Sequence, residues 1–275
     1  MKKLPVLLAL GTILFSCSSK NDPKPVPTDP AACQLISLNN DSKITQPIPF
    51  FSYSFEYDNI TGRMTSFTDD IYLHKLSHKA DSIIHSYTSK TNPLGIPLRQ
   101  ILVKDKKSSW PAYRLSTSFY SSSQPSVLDD STIFVMDDGG RVVKSVSYRY
   151  GTNQARDSVT FKYDAKGNIS ESESPAVKIT YTYFENTFSP ASLFVGFSQQ
   201  LQYMPGFPMV YNGTNNIKQV KATYPSGVTQ GTLFTDIEYT YVYNKGYKVD
   251  TIYAAYKLLS GETGNTFYKP AYNCN

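Results

Sequence analysis

All three histidines of the chain, His74, His78 and His85, stand in one stretch, DDIYLHKLSHKADSIIHSY. Imidazoles that share a face can ligate zinc, and His74 and His78 share one whether the stretch is helical or extended. It parses as two strands, Ile71 to Leu76 and Ser82 to Tyr87, joined by a polar turn, which sets His85 apart from the other two. No cysteine or well-placed glutamate completes a site and no metalloprotease helix motif is present, so neither a metal nor a cofactor is expected. Two acids flanking a glycosidic bond would make a hydrolase. Glu171 and Glu173, however, lie in the polar return SESESP, and Asp69-Asp70, Asp129-Asp130 and Asp137-Asp138 read as turn acids. Neither a Gly-x-Ser-x-Gly elbow nor a phosphate-cradling glycine loop occurs, and no residue is assigned as catalytic.

Aromatic side chains are the other candidates for chemistry, since rings stack on sugars and on partner proteins. The chain has 22 tyrosines and 15 phenylalanines. Most sit at alternating positions and are expected in a core. Trp110 and Tyr113 in SSWPAYRL, and Tyr203 and Phe207 in LQYMPGFPMVY, stand in proline-bearing stretches that are harder to assign to a sheet face. These four are the expected ligand-contact residues.

The elements that must carry them are strands. Phe51, Tyr53, Phe55 and Tyr57 alternate with Ser52, Ser54 and Glu56, and the same period of two runs through Val159 to Tyr163, Ile179 to Tyr183 and Ile237 to Tyr243. Such alternation of β-branched and aromatic residues argues for antiparallel strands with one buried face. No segment of helical length carries an apolar stripe. The expected fold is all-β, a meander of hairpins forming a curled sheet or a full or half barrel.

Where these strands stop, one pattern recurs: FEYDNITGRM at 55, FVMDDGGRVV at 134, FKYDAKGNI at 161 and YVYNKGYKV at 241. An Asp or Asn that bonds the backbone ahead of it, followed by a glycine able to take positive φ, is turn chemistry. Asp58 with Gly62, Asp137 with Gly140, Asp164 with Gly167, and Asn244 with Gly246 are therefore structural residues. Their spacing along the chain is irregular, which counts against a solenoid or propeller.

These motifs resemble the tyrosine-aspartate repeats of Rhs-type shell proteins. The tract from 50 to 256 also resembles a family of Bacteroidetes lipoproteins with such repeats and a porin-like curved sheet, in which a hairpin gives way to an Asn-x-[Pro/Ser] stretch similar to NTFSPASLF at 186–194. The resemblance implies an architecture and no activity. Asp81-Ser82-Ile83, Asp130-Ser131-Thr132, Asp157-Ser158-Val159 and Asp250-Thr251-Ile252 resemble the Bacteroidetes O-glycosylation acceptor, although an acid and a hydroxyl are also how a strand leaves a turn.

The chain opens MKKLPVLLALGTILFSC, with Lys2 and Lys3 ahead of an apolar run too short for a membrane span. The end of that run resembles a bacterial lipobox, so residues 1–16 are expected to be a lipoprotein signal peptide and Cys17 the lipidated residue. An ordinary signal peptide with a chance cysteine is the alternative. Residues 17–30, rich in proline, make a tether, and residues 31–275 make one all-β domain. Cys33 and Cys274 remain at its two ends. In an oxidising compartment they are expected to pair, which in a chain-entropy picture is worth about 5 kcal/mol at most, with free thiols or intermolecular pairing as alternatives.

The net charge of +5 includes Lys2 and Lys3, and no long basic run suggests nucleic acid. A bilayer-spanning barrel is disfavoured, because the strand faces opposite the aromatics carry Ser, Thr, Lys and Glu. The expectation is a cell-envelope lipoprotein, held at the outer membrane on its periplasmic or surface side, with a non-enzymatic binding or scaffold domain and a glycan or an envelope protein as partner. A polysaccharide-acting hydrolase is the alternative.

Overall fold

The computed structural model describes residues 33–40, 52–91, 98–104, 111–118, 127–149, 152–185, 215–229, 233–245 and 248–274. The expected signal peptide and tether, Trp110, Tyr203, Phe207, Gly246 and the 186–194 stretch lie outside them. Every regular element among the described residues is a strand: β1 (Cys33–Asn40), β2 (Tyr53–Tyr57), β3 (Met64–Thr68), β4 (Tyr72–His78), β5 (Ser82–Ser89), β6 (Leu98–Lys104), β7 (Pro111–Ser118), β8 (Val127–Met136), β9 (Val142–Arg149), β10 (Ala155–Tyr163), β11 (Ile169–Glu173), β12 (Lys178–Tyr183), β13 (Ile217–Thr223), β14 (Phe234–Tyr243), β15 (Val249–Leu258) and β16 (Thr263–Cys274).

Each strand pairs antiparallel with its chain neighbours, and β1 pairs with β16 as well, so the ladder returns on itself as a closed barrel. The sequence left open whether the sheet curls or closes; the β1–β16 ladder closes it. Closure removes the two free edges that an open sheet of this length would present.

Alternation does the work expected of it. On β15 the pattern is strict from Ile252 onward, with Ile252, Ala254, Tyr256 and Leu258 buried and Tyr253, Ala255 and Lys257 exposed. Inward residues of the ring form one continuous apolar cluster, from Leu35 and Leu38 on β1 to Tyr268 on β16. Leu38, Ile217 and Ile252 are wholly inaccessible to solvent.

The outer face departs from expectation on one side. On β2, β4 and β10–β12 it carries Glu56, Lys75, Lys162, Glu171 and Lys178. On β5–β9 the outward positions mix apolar with polar residues: Ile84 pairs with Ile101 and Ile133 with Val146, while Ser82 pairs with Val103 and Val135 with Lys144. Ile133 and Val135 are about half exposed there. The polar face that argued against lipid contact therefore covers only part of the ring. β-Branched residues favour a pleated strand on either face, so pattern alone overstates how polar an outer face is.

In an up-and-down ring alternate connections lie at opposite ends. One rim holds the β2–β3, β8–β9, β10–β11 and β14–β15 turns together with the start of β1 and the end of β16. There Cys33 and Cys274 are direct Cα partners. No disulfide is seen among the described residues.

Candidate functional site

The histidine stretch gives the most concentrated polar chemistry of the inner face, in an arrangement the sequence did not suggest. Strands β4 and β5 pair so that Leu76 faces His85 and His74 faces Tyr87, which makes His74 and His85 diagonal neighbours. His85 was expected apart from His74. Instead its Nε2 lies 2.9 Å from His74 Nδ1. The turn between β4 and β5 is tight enough to fold the two positions onto one face.

His74 Nε2 in turn lies 3.1 Å from Asp69 Oδ2. With Asp69 ionised, His74 donates from Nε2 to the carboxylate and its Nδ1 accepts from His85 Nε2–H. The other oxygen of Asp69 accepts from the backbone N–H groups of Ile71 and Tyr72. Burial alone would raise the Asp69 pKa, but the hydrogen bonds from His74, Tyr72 and Ile71 more than offset it and hold the carboxyl below its ordinary value.

Rings enclose the array. Phe67 stacks on His74 at 4.1 Å between centroids, His85 follows at 5.1 Å from His74, and Tyr72 meets His74 edge-on. His85 is fully buried and His74 nearly so. His78 points elsewhere, bonding the Met64 carbonyl at 2.8 Å. Both ring nitrogens of His74 are engaged, and among the described residues no group of three His, Cys, Asp or Glu could hold a metal ion. Buried and stacked, the Asp69–His74–His85 array ties β4 to β5 and to the turn before β4.

Asp129 and Asp130, expected in a turn, lie instead within strand β8, where Asp130 is the Cα partner of Ser116 and Arg149; several of the other candidate carboxylates are engaged locally. Glu171 sits between Lys162 and Lys178 at 2.7 and 2.9 Å, a cross-strand trio on the outer face of β10, β11 and β12. The hydrogen bonds from Lys162 and Lys178 lower its pKa. Glu173 pairs through its backbone with Thr160 and Lys178 on neighbouring strands. Asp137 accepts from the Arg141 N–H and side chain, which lowers its pKa in that order. Asp70 accepts from the Ser52 N–H.

The repeated motif is a turn, and it is also a latch. Asp164 Oδ1 accepts from the N–H groups of Lys166 and Asn168, Gly167 takes φ +84°, and Ile169 begins β11 fully buried. Asp58, Asp137 and Asn244 likewise accept from backbone N–H groups of their own turns. The tyrosine before the acid was read as core filling only. Its hydroxyl has a second role: Tyr57 and Tyr163 donate to the carbonyls of Leu35 and Val142, and Tyr183 and Tyr241, which do not directly precede a turn Asp or Asn, donate likewise to Ile169 and Ile217, each near the start of the preceding strand. The near-copies FEYDNITGRM and FKYDAKGNI, each with a tyrosine ending one strand just before the turn Asp, were the available signal. Burial pushes the Tyr57 pKa up to about 12, so the phenol stays a donor.

Among the four aromatics expected to touch ligand, only Tyr113 falls within described backbone. Residues 111–118 are strand β7 and not an irregular stretch, with Tyr113 the Cα partner of Val103 and Ile133. A proline at the first residue of a strand is tolerated, which is why Pro111 misled the reading. Thr251, one of the acceptor-like hydroxyls, is buried in β15.

With this geometry in hand, the chain can be set beside known proteins. No protein-family model matches it, and no curated protein does. Solved structures do match. A porin-like protein from Bacteroides uniformis superposes with a TM-score of 0.56 at 11% identity, over 90% of this chain and 100% of that one. A porin-like protein from Bacteroides vulgatus gives 0.54 at 12% identity, over 87% and 98%. The chain has the fold of these Bacteroides porin-like proteins. At such identity the likeness is one of fold alone. It agrees with the architecture expected from the tyrosine-aspartate motifs, and it carries no residue role across.

Proposed function

We propose that the chain is a cell-envelope lipoprotein, anchored through Cys17, whose β-barrel is a non-enzymatic binding or scaffold domain for a glycan or an envelope protein. One observation carries the non-enzymatic part of this reading: Asp137 and Asp164 are held in their own turns, and Glu171 is held in an outer cross-strand trio with two lysines. A glycosidase needs one carboxyl kept protonated and a second within about 5–10 Å. Glu171 is pulled the other way by its two lysines. The buried Asp69–His74–His85 array is enclosed by rings rather than open to substrate.

The porin-like description of the structural neighbours raises a channel as a reading of the barrel. The continuous buried cluster on the inner face supports a filled interior instead. Anchoring rests on the basic start, the apolar run and Cys17, together with the proline-bearing tether.

The test is a binding screen of the domain from Ala31 onward against envelope glycans and envelope proteins, run beside a polysaccharide-hydrolysis assay. Saturable binding without turnover is the expected result. Hydrolysis abolished by Glu171→Gln would overturn the non-enzymatic reading. For the anchor, the full chain should partition with membranes and Cys17→Ala should release it; equal partitioning of both would remove Cys17 from the account.

A further inference from the structure

We propose that Cys33 and Cys274 form a disulfide that staples the seam where the barrel closes. Their backbones are Cα partners at the terminal position of the β1–β16 ladder, followed by Gln34 with Asn273 and Leu35 with Tyr272. Residues directly opposite in an antiparallel pair stand about 4.5–5.5 Å apart, and a disulfide spans about 4.4–6.8 Å between Cα atoms. The backbone pairing of Cys33 with Cys274 therefore falls within the span that a disulfide bridges.

The place matters more than the distance. Every other ladder of the ring joins strands that follow one another in the chain, whereas β1 and β16 are brought together from its two ends. That pairing closes the longest loop in the protein, so it carries the largest entropic cost of ordering. A covalent link there turns the meander into a ring of chain. The β1 backbone is also fixed beside the cysteine: Tyr57 donates to the Leu35 carbonyl at 2.8 Å, and on the other flank β1 meets β2 at two register pairs, Ser37 with Ser54 and Leu38 with Tyr53. The staple sits at one end of the seven-pair ladder between β1 and β16.

The step is a two-electron oxidation. One thiolate attacks a sulfur of a disulfide donor and expels one donor thiol, giving a mixed disulfide; the second cysteine thiolate then displaces the other donor thiol. The Cys33–Cys274 bond forms, the donor disulfide is reduced to two thiols, and the two cysteine protons leave with them. The inference is independent of what the barrel binds.

The experiment equilibrates the folded full chain with oxidised glutathione, blocks remaining thiols, and maps peptides by mass without reduction. The expected product is a linked pair of peptides containing Cys33 and Cys274, lighter by two hydrogens than the sum of the two. Its melting temperature should exceed that of the reduced protein by on the order of 5–15 °C. Cys33→Ser, Cys274→Ser and the double variant should each melt where the reduced wild type does, with no response to reductant. Blocked free thiols at both positions, a link from either cysteine to Cys17, or a link between two chains would each overturn the proposal. The mapping needs only the wild-type chain, so a variant that fails to fold leaves the test intact.

Discussion

Tyr163 shows how much one side chain of the repeated motif does: its ring packs against the core, Arg141 lies 4.8 Å above its face, and its hydroxyl bonds the Val142 carbonyl at 2.7 Å. Tyr163→Phe keeps the ring and removes only the last of these, so a loss of about 1 kcal/mol is expected from the shift in urea midpoint. Two glycines separate two reasons for having no side chain. Gly167 holds φ +84° with open space where a Cβ would sit, so Gly167→Ala should cost about 1–2 kcal/mol from backbone strain alone. At Gly264 a Cβ would run into the ring of Tyr256 across the β15–β16 ladder. Gly264→Ala should therefore cost about 1–3 kcal/mol, and Tyr256→Leu should recover part of that loss in the double variant, whereas it should do nothing for Gly167→Ala.

Elements are held by charge as well as by rings. The lowered pKa values of Asp58, Asp69, Asp137 and Glu171 mean that the folded state binds protons there less readily than the unfolded chain. A depressed carboxyl contributes stability above its unfolded value, about 4, and that contribution disappears as pH falls through the lower folded value. Thermal unfolding followed from pH 7 downward should thus show a melting temperature that begins to fall near pH 4. Asp69→Asn, which ends the charged bond to His74 in the turn before β4, should flatten part of that fall. Asp58→Asn should change it less, because the Asp58 carboxylate bonds only Ile60 and Thr61 of its own solvent-facing turn. An identical profile for Asp69→Asn and wild type would mean that the Asp69–His74 link does not stabilise this hairpin.

At the scale of the molecule, closure is the property on which the rest depends. Removing β16 by ending the chain at Leu259 would expose one edge of β15 and one edge of β1, and it would also uncover the core side of β1 around Leu35 and Leu38. Such a truncation should aggregate, seen as loss of the monomer peak in size exclusion. A circular permutant that joins the two ends and opens the exposed turn after Pro225 should keep its β-sheet circular dichroism, because it cuts no ladder and both ends meet at one rim. Failure of the permutant with survival of the truncation would mean the β1–β16 ladder does not define the fold.

The amino-acid sequence by itself determined the local geometry: period-two alternation, the Asp and Gly corners, and the absence of helical stripes all follow from steric and hydrogen-bonding preferences that act within a few residues. Only the tertiary structure decided that β16 returns to β1, that His85 meets His74, that Tyr113 lies in a strand, and that Ile133 and Val135 stand exposed on β8. Each of these depends on which strand ends up beside which, and on a register set by the closing of the whole ring. Pattern in one strand carries no record of its neighbour, so Cys33 and Cys274 could be expected to pair from their compartment, but their standing opposite one another could be learned only from the fold.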